Sequence, residues 1–107
     1  MTETAEFQKH DTGKPRYDLI DPWALDILAQ VYTYGAKKYS ANNMNIGTHW
    51  SRYFAACMRH LWAFWRGEDN DPESGLPHLA HAAWSVFTLL RYTIDQREFD
   101  DRPKWKE

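Results

Sequence analysis

The sequence predicts an all-α protein. Three stretches repeat apolar residues at helical spacing, each is bounded by residues suited to a helix end, and no stretch alternates as a strand would. The expected architecture is three main helices, two of them forming an antiparallel hairpin at about 51–66 and 77–96, completed by oligomerisation.

The first helix opens at Asp21-Pro22, a capping carboxylate followed by a proline at the first helical position. Trp23, Ile27 and Val31 recur every four residues, with Leu28 and Tyr32 beside them. Lys37 and Lys38 close it, where positive charge suits the helix dipole. A turn-rich connection, SANNMNIGTHW, follows over 40–50. Ser51 is the expected cap of the second helix, and Gly67 its stop. Phe54, Cys57, Met58, Leu61 and Trp65 form one apolar face, and Tyr53, Ala56, Ala63 and Phe64 make much of the other side apolar too. A helix apolar nearly all round is central or interfacial.

The third helix starts near Pro77. Its main stripe is Leu79, Ala83, Val86 and Leu90, and His78, His81 and Ser85 share a second one. The loop over 67–76 is short, which favours antiparallel packing of helices two and three. Residues 1–12 read as a flexible arm, 13–96 as a single helical domain, and 97–107 as a charged tail that frays.

The totals narrow the function. A chain of 107 residues builds one core. Thirteen basic residues against 15 acidic ones give a net charge of −2, which argues against a broad nucleic-acid-binding face but leaves room for a phosphate pocket. A single cysteine, Cys57, excludes an intramolecular disulfide and fits a reducing cytoplasm. The N-terminus lacks the apolar core of a signal peptide, and no apolar run is long enough to span a membrane. Six Trp, six Tyr and five Phe are a large aromatic load for so small an interior, and a subunit interface, dimer or tetramer, would absorb it.

Three groups of residues could carry chemistry. His78 and His81 lie three apart near a helix start, and the hairpin brings His60 to a similar depth. Imidazoles so grouped can ligate a metal or donate to phosphate; each alone also fits a hydrogen-bonded structural role. Glu68, Asp69, Asp71 and Glu73 precede them, and Glu68 and Asp71 have E-x-x-D spacing. Such a loop could wrap Mg²⁺, which prefers oxygen ligands, or could be solvated acids before a helix N-terminus. Lys14 and Arg16, in the stiff turn TGKPRYDLI, could clamp phosphate without being a Walker motif. Lys37, Lys38 and Arg59 are further phosphate-binding candidates. Tyr32, Tyr34, Tyr39, Trp50 and Trp62 could stack a base or simply pack. Cys57 falls on an apolar face, where a packed thiol is the ordinary reading.

The stretches GKPRYDLIDPWALDILAQVYTYGAKKYSANN and HWSRYFAACMRHLWAFWRGEDNDPESGLPHLAHAAW carry a resemblance over roughly residues 12 to 92. Together, G-K-x-R-Y-D-L, Y-G-A-K-K-Y, R-H-L-x-A and G-E-D-x-D-P-E-S-G-x-x-H-L-A-H-A resemble the phage dATP/dGTP diphosphohydrolase N-terminal family. The resemblance implies nucleotide pyrophosphohydrolase chemistry: removal of pyrophosphate from purine deoxynucleoside triphosphates. It also implies a distant likeness to MazG-type enzymes, which are all-α, oligomeric and Mg²⁺-dependent. Those carry E-E-x-x-E on one helix and E-x-x-D on the next. Here no E-E-x-x-E occurs; with the hairpins matched, Arg59 and His60 fall near its last acid, and His78 and His81 replace E-x-x-D.

Two functional readings follow. In the first, Mg²⁺ or Mn²⁺ held by Glu68, Asp71, His78 and His81 bridges substrate phosphates. His60, Glu68 or Asp71 orients the attacking water, and Lys14, Arg16, Lys37, Lys38 and Arg59 hold the phosphates. In the second, the chain is a non-catalytic oligomer that captures a nucleotide signal, a sponge in phage anti-defence. The residues alone weigh these about equally, and the resemblance favours the enzyme. Either way the partner is a small nucleotide and the place of action the cytoplasm, that of the host if the chain is phage-encoded.

Overall fold

The structure, a computed structural model, describes residues 5–105. It holds three α-helices: α1, Pro22–Lys38; α2, Trp50–Trp65; and α3, His78–Asp95. Single 3₁₀ turns lie at Tyr17–Leu19, Asn43–Ile46 and Arg97–Phe99. No strand occurs among the described residues, so the all-α expectation holds, and each helix of the hairpin ends within one residue of its expected bounds.

Local chemistry explains most of these ends. The Asp21 carboxylate accepts the Trp23 N–H at 3.3 Å and Pro22 follows it, which starts α1. At the end of α2, Gly67 adopts φ of +103°. Its N–H reaches the Phe64 carbonyl at 2.9 Å, and the Glu68 N–H reaches Ala63 at 3.0 Å. This paired closure needs a left-handed residue, which glycine supplies without strain.

The start of α2 departs from expectation. His49, not Ser51, is the N-cap, and its side chain makes no capping bond. Ser51 sits inside the first turn and is itself capped: Asp101 accepts the Ser51 N–H at 2.9 Å and also its hydroxyl. The capping group therefore comes from fifty residues away. This also corrects the frayed tail. Trp50, 4% exposed, donates its indole N–H to the Gln96 carbonyl at 3.0 Å. The guanidinium groups of Arg97 and Arg102 lie 5.3 and 4.8 Å from its ring. The charged segment is a clasp over the N-terminus of α2. Positions 106 and 107 of that tail, and 1–4 of the N-terminal arm, lie outside the described residues.

Residues 5–21 are exposed throughout and form no helix beyond the turn Tyr17–Leu19. They extend from the bundle, and the radius of gyration is 19.2 Å where a compact chain of this size has about 13 Å.

Helices α2 and α3 pack antiparallel, with Trp50 beside Gln96, Cys57 beside Ala82 and His60 beside His78. Helix α1 lies against α3, where Tyr32 meets Trp84 edge to face at 6.0 Å. The faces that meet are not the ones the apolar periodicity nominated. On α2 that stripe points outward: Phe54 is 60% and Trp65 78% exposed, and only Cys57 is buried. On α3, Leu79, Val86 and Leu90 are exposed, while His78, Ala82, Ser85, Thr88 and Tyr92 are buried. Small and polar side chains let the helices approach closely, and internal bonds satisfy them. Cys57 Sγ–H reaches the Ala82 carbonyl at 3.6 Å, Thr88 Oγ1 donates to Trp84 O at 2.9 Å, and the Tyr92 hydroxyl donates to Met44 O at 2.6 Å. Breaking such a buried bond typically costs about 1 kcal/mol. Periodicity identifies a face that favours burial; it does not say what buries it.

Candidate functional site

The hairpin loop is a closed turn, not a solvated tether. The Asp71 N–H donates to Leu76 O at 2.8 Å and the Gly75 N–H to Asp71 O at 2.7 Å, with Gly75 at φ of +74°. Asp71 folds its carboxylate back: Oδ2 accepts the Ser74 N–H at 3.0 Å and the Ser74 hydroxyl at 2.9 Å. Before α3, the Asp69 carbonyl accepts the His78 N–H at 2.9 Å, filling one of the unpaired donors of the helix start. The turn thereby fixes Glu68, Asp71 and Ser74 against the first turn of α3.

Three imidazoles meet there. His60 and His78 face one another with their Nδ1 atoms 2.8 Å apart. His60 also stacks on His81, centroids 4.7 Å apart and planes within 10°. His78 is 4% exposed and its Nε2 lies 2.6 Å from Glu68 Oε1. A carboxylate accepts only, so Nε2 carries the proton, and in the tautomer this bond fixes, Nδ1 carries the lone pair. His81 Nε2 lies 2.7 Å from Ser74 Oγ and 3.7 Å from Asp71 Oδ2. With the Ser74 hydroxyl donating to the Asp71 carboxylate, Nε2–H of His81 donates to Oγ, and in that tautomer its Nδ1 carries the lone pair.

Electrostatics favour the neutral ring at His60 and His81 and the charged form at Asp71. Burial, then the neighbouring imidazoles His81 and His78, hold His60 below its ordinary 6.5. Burial lowers His81 as well, against the opposing pull of Asp71. Burial alone would raise Asp71, but the two bonds from Ser74 and the nearby imidazoles outweigh it and leave it lowered.

The cluster forms one end of an open cleft of about 880 Å³, within the ~300–1,000 Å³ usual for small-molecule sites. His60, Asp71, Glu73 and His81 are on its wall. So are three cations, Lys38, Arg52 and Arg59, and a run of aromatic rings including Tyr34, Tyr53 and Trp84. Lys38 is pinned by an ion pair to Glu73, which joins the end of α1 to the hairpin turn and raises the Lys38 pKa. Its ammonium lies 5.9 and 5.3 Å from the Tyr34 and Tyr39 rings.

The sequence-predicted residues divide accordingly. His60, Asp71 and His78 each offer a ligand atom within 4.8 Å of the others, a set that could hold a metal ion. Glu68 meets this set through the far nitrogen of His78, and His81 through Ser74. Lys38 and Arg59 line the cleft; Lys14, Arg16 and Lys37 do not. Arg16 instead pairs with Asp18, on an exposed segment. Tyr32, Tyr34 and Tyr39 line the cleft, whereas Trp50 is sealed under the C-terminal clasp and Trp62 faces outward at 53% exposure. Sequence reasoning missed Arg52, Tyr53, Ser74 and Trp84. Ser74 had a signal, since D-x-x-S before a glycine is a pattern for a side-chain-closed turn.

Among the described residues, no helix is long and apolar enough to cross a membrane. No solved structure matches the chain. It is similar to a dATP/dGTP diphosphohydrolase of Salmonella phage PMBT28, 34% identical over 97 residues, which are 91% of this chain and 33% of that relative. The chain thus spans about a third of the relative's length. Residues 4–102 match the family described as dATP/dGTP diphosphohydrolase, N-terminal, and the chain belongs to that family.

Proposed function

We propose that the cleft binds a purine deoxynucleoside triphosphate and that the histidine–carboxylate cluster supports its hydrolysis to monophosphate and pyrophosphate. The observation that carries this is the juxtaposition of the His60–Asp71–His78 donors with a cleft walled by Lys38, Arg52, Arg59 and aromatic rings. The cations suit the phosphates, and any base has a π-face that Tyr34, Tyr53 or Trp84 can meet. The diphosphohydrolase relative supplies the reaction class and the purine preference.

The donor set fits a divalent ion: two neutral imidazole nitrogens and an ionised carboxylate are the forms that ligate. Of the two ions expected, Mn²⁺ suits this set better than Mg²⁺, which prefers oxygen. Bound there by His60, Asp71 and His78, it would supply charge neutralisation and polarise the α–β linkage. The chain's own residues account for the rest. Lys38, Arg52 and Arg59 hold the triphosphate and stabilise charge on the departing pyrophosphate. His81, neutral through burial and anchored by Ser74, takes the proton of the attacking water at Nδ1. The water oxygen bonds to the α-phosphorus as the bond to the bridging oxygen of the β-phosphate breaks. Such a substrate belongs to a cytoplasmic nucleotide pool, that of the host if the chain is phage-encoded.

Incubating the protein with dATP or dGTP and Mn²⁺ or Mg²⁺, then separating the products, tests this. Monophosphate and pyrophosphate in equal amounts support it; intact triphosphate with every ion overturns it. A second reading, the non-catalytic nucleotide-binding oligomer, is favoured by the absence of E-E-x-x-E. It predicts metal-independent calorimetric binding with the ligand recovered intact.

The outward apolar faces are the proposed seat of self-association. Phe54, Leu61, Trp62 and Trp65 on α2 and Leu79, Val86 and Leu90 on α3 form a broad exposed apolar surface. A second copy of the hairpin would bury it in a four-helix arrangement. Light scattering that gives the monomer mass at micromolar concentration overturns this.

A further inference from the structure

We infer that the His60–Asp71–His78 cluster is a nitrogen-rich site that selects a first-row transition ion, such as Mn²⁺, Fe²⁺ or Co²⁺, over Mg²⁺. Glu68 acts from outside the coordination shell by fixing the tautomer of His78. The inference deepens the proposed function and rests on that reading for the use of the ion, not for its binding.

Geometry carries it. The 2.6 Å bond from His78 Nε2–H to Glu68 Oε1 leaves the His78 Nδ1 lone pair directed at His60 Nδ1. A carboxylate behind an imidazole is the usual device for orienting a metal-ligating histidine and raising its basicity. His78 is 4% exposed, so its ring is a fixed anchor. Among the described residues, every bond recorded to the Asp71 carboxylate falls on Oδ2, which leaves Oδ1 for a ligand. Ser74 thereby holds the carboxylate in place without using up its coordinating oxygen.

The donor set narrows the ion. Two imidazoles with one carboxylate and open positions is the pattern of a transition ion that keeps sites for substrate oxygens. Mg²⁺ instead takes carboxylates, phosphates and waters. In the free protein a proton sits between the two Nδ1 atoms, donated by His60 to His78. Ion binding requires only that His60 carry its proton on Nε2 instead, so the neutral ring loses no charge.

Calorimetry with the metal alone, in the absence of nucleotide, tests this on the full chain. Mn²⁺ and Co²⁺ are expected to bind one per chain, with Mg²⁺ at least roughly tenfold weaker. His60→Gln should abolish binding, and Glu68→Gln should weaken it roughly 10–100-fold with the helical circular dichroism unchanged. His81→Gln should leave metal affinity within a few-fold. Equal affinity for Mg²⁺ and Mn²⁺, or affinity unaffected by His60→Gln, overturns the inference. Metal binding as described without hydrolysis of any triphosphate would overturn the proposed activity and leave this site standing. Equal calorimetric affinity for Mg²⁺ and Mn²⁺ with hydrolysis intact would do the reverse.

Discussion

The two sides of the α2–α3 hairpin are inverted relative to an ordinary helical pair. Its interior holds His60, His78, His81, Ser85, Thr88 and Tyr92, while Phe54, Leu61, Trp62, Trp65, Val86 and Leu90 face out. Apolar burial is the main favourable term in folding, so a chain that places its polar residues inside uses that interior for something else. The inside is rich in hydrogen-bonded polar groups, and the outside carries the exposed apolar side chains. The difference teaches that amphipathic periodicity, read alone, finds an apolar stripe without telling which side of a helix meets its neighbour.

The largest expected effect breaks the inner side. Asp71→Ala removes a proposed ligand, frees Ser74 and unfastens His81 together, and should lower turnover by about 10²–10⁴-fold. Product chromatography with dATP and Mn²⁺ reads this, with circular dichroism confirming that the helices persist. A loss under threefold would remove Asp71 from the site.

The next effect breaks the outer side. Trp62→Asp places a charge in the proposed interface and should weaken self-association at least roughly 30-fold, as loss of an aromatic anchor worth about 2 kcal/mol would. Sedimentation across a concentration series measures it. An unchanged mass would show that this face is not where copies meet.

A third prediction sharpens the contrast through pH. His60 and His81 are held below 6.5 by burial, so the unfolded chain binds protons that the folded chain refuses. Stability is then full above pH 6.5 and falls as the pH drops through that value toward the lowered folded-state pKa values. Asp71, shifted down from 3.8, acts in a separate and more acidic window, where its contribution is lost as its carboxylate protonates. The metal-free melting temperature should be lower at pH 5.5 than at pH 7.5, and His81→Gln should reduce that drop. An equal or higher melting temperature at pH 5.5 would contradict the neutral cluster.

The smallest effect lies at the far end of the hairpin. Asp101→Ala removes the cap on Ser51 and should lower the melting temperature by roughly a few degrees, with turnover unchanged. A large loss of turnover would tie the C-terminal clasp to the chemistry.

Much of this fold was legible residue by residue. Asp21-Pro22 and Gly67 are local signals, and local chemistry decides a helix end. The ten-residue loop over 67–76 foretold the antiparallel pair, and the spacing of His78 and His81 foretold a shared face. The cap on α2 was not legible because Asp101 is distant in sequence and close in space. For the same reason Arg52 and Trp84 were missed: their place on the cleft depends on how α1 and the 40–50 connection cross the hairpin, and no periodicity records that. Lys14 and Arg16 read as a phosphate clamp from the stiff, basic turn TGKPRYDLI, whereas the cations on the cleft wall are Lys38, Arg52 and Arg59.

One measurement compares the two sides directly. The ¹H–¹⁵N spectrum of the side-chain imidazoles and indoles, recorded as dATP is added with a diamagnetic divalent ion, reports where the nucleotide sits. Shifts at His60, His81 and the Trp84 indole, with Trp62 and Trp65 unmoved, are the predicted result. Shifts at Trp62 and Trp65 with the histidines unmoved would contradict it, and would place the ligand on the apolar outside of the hairpin.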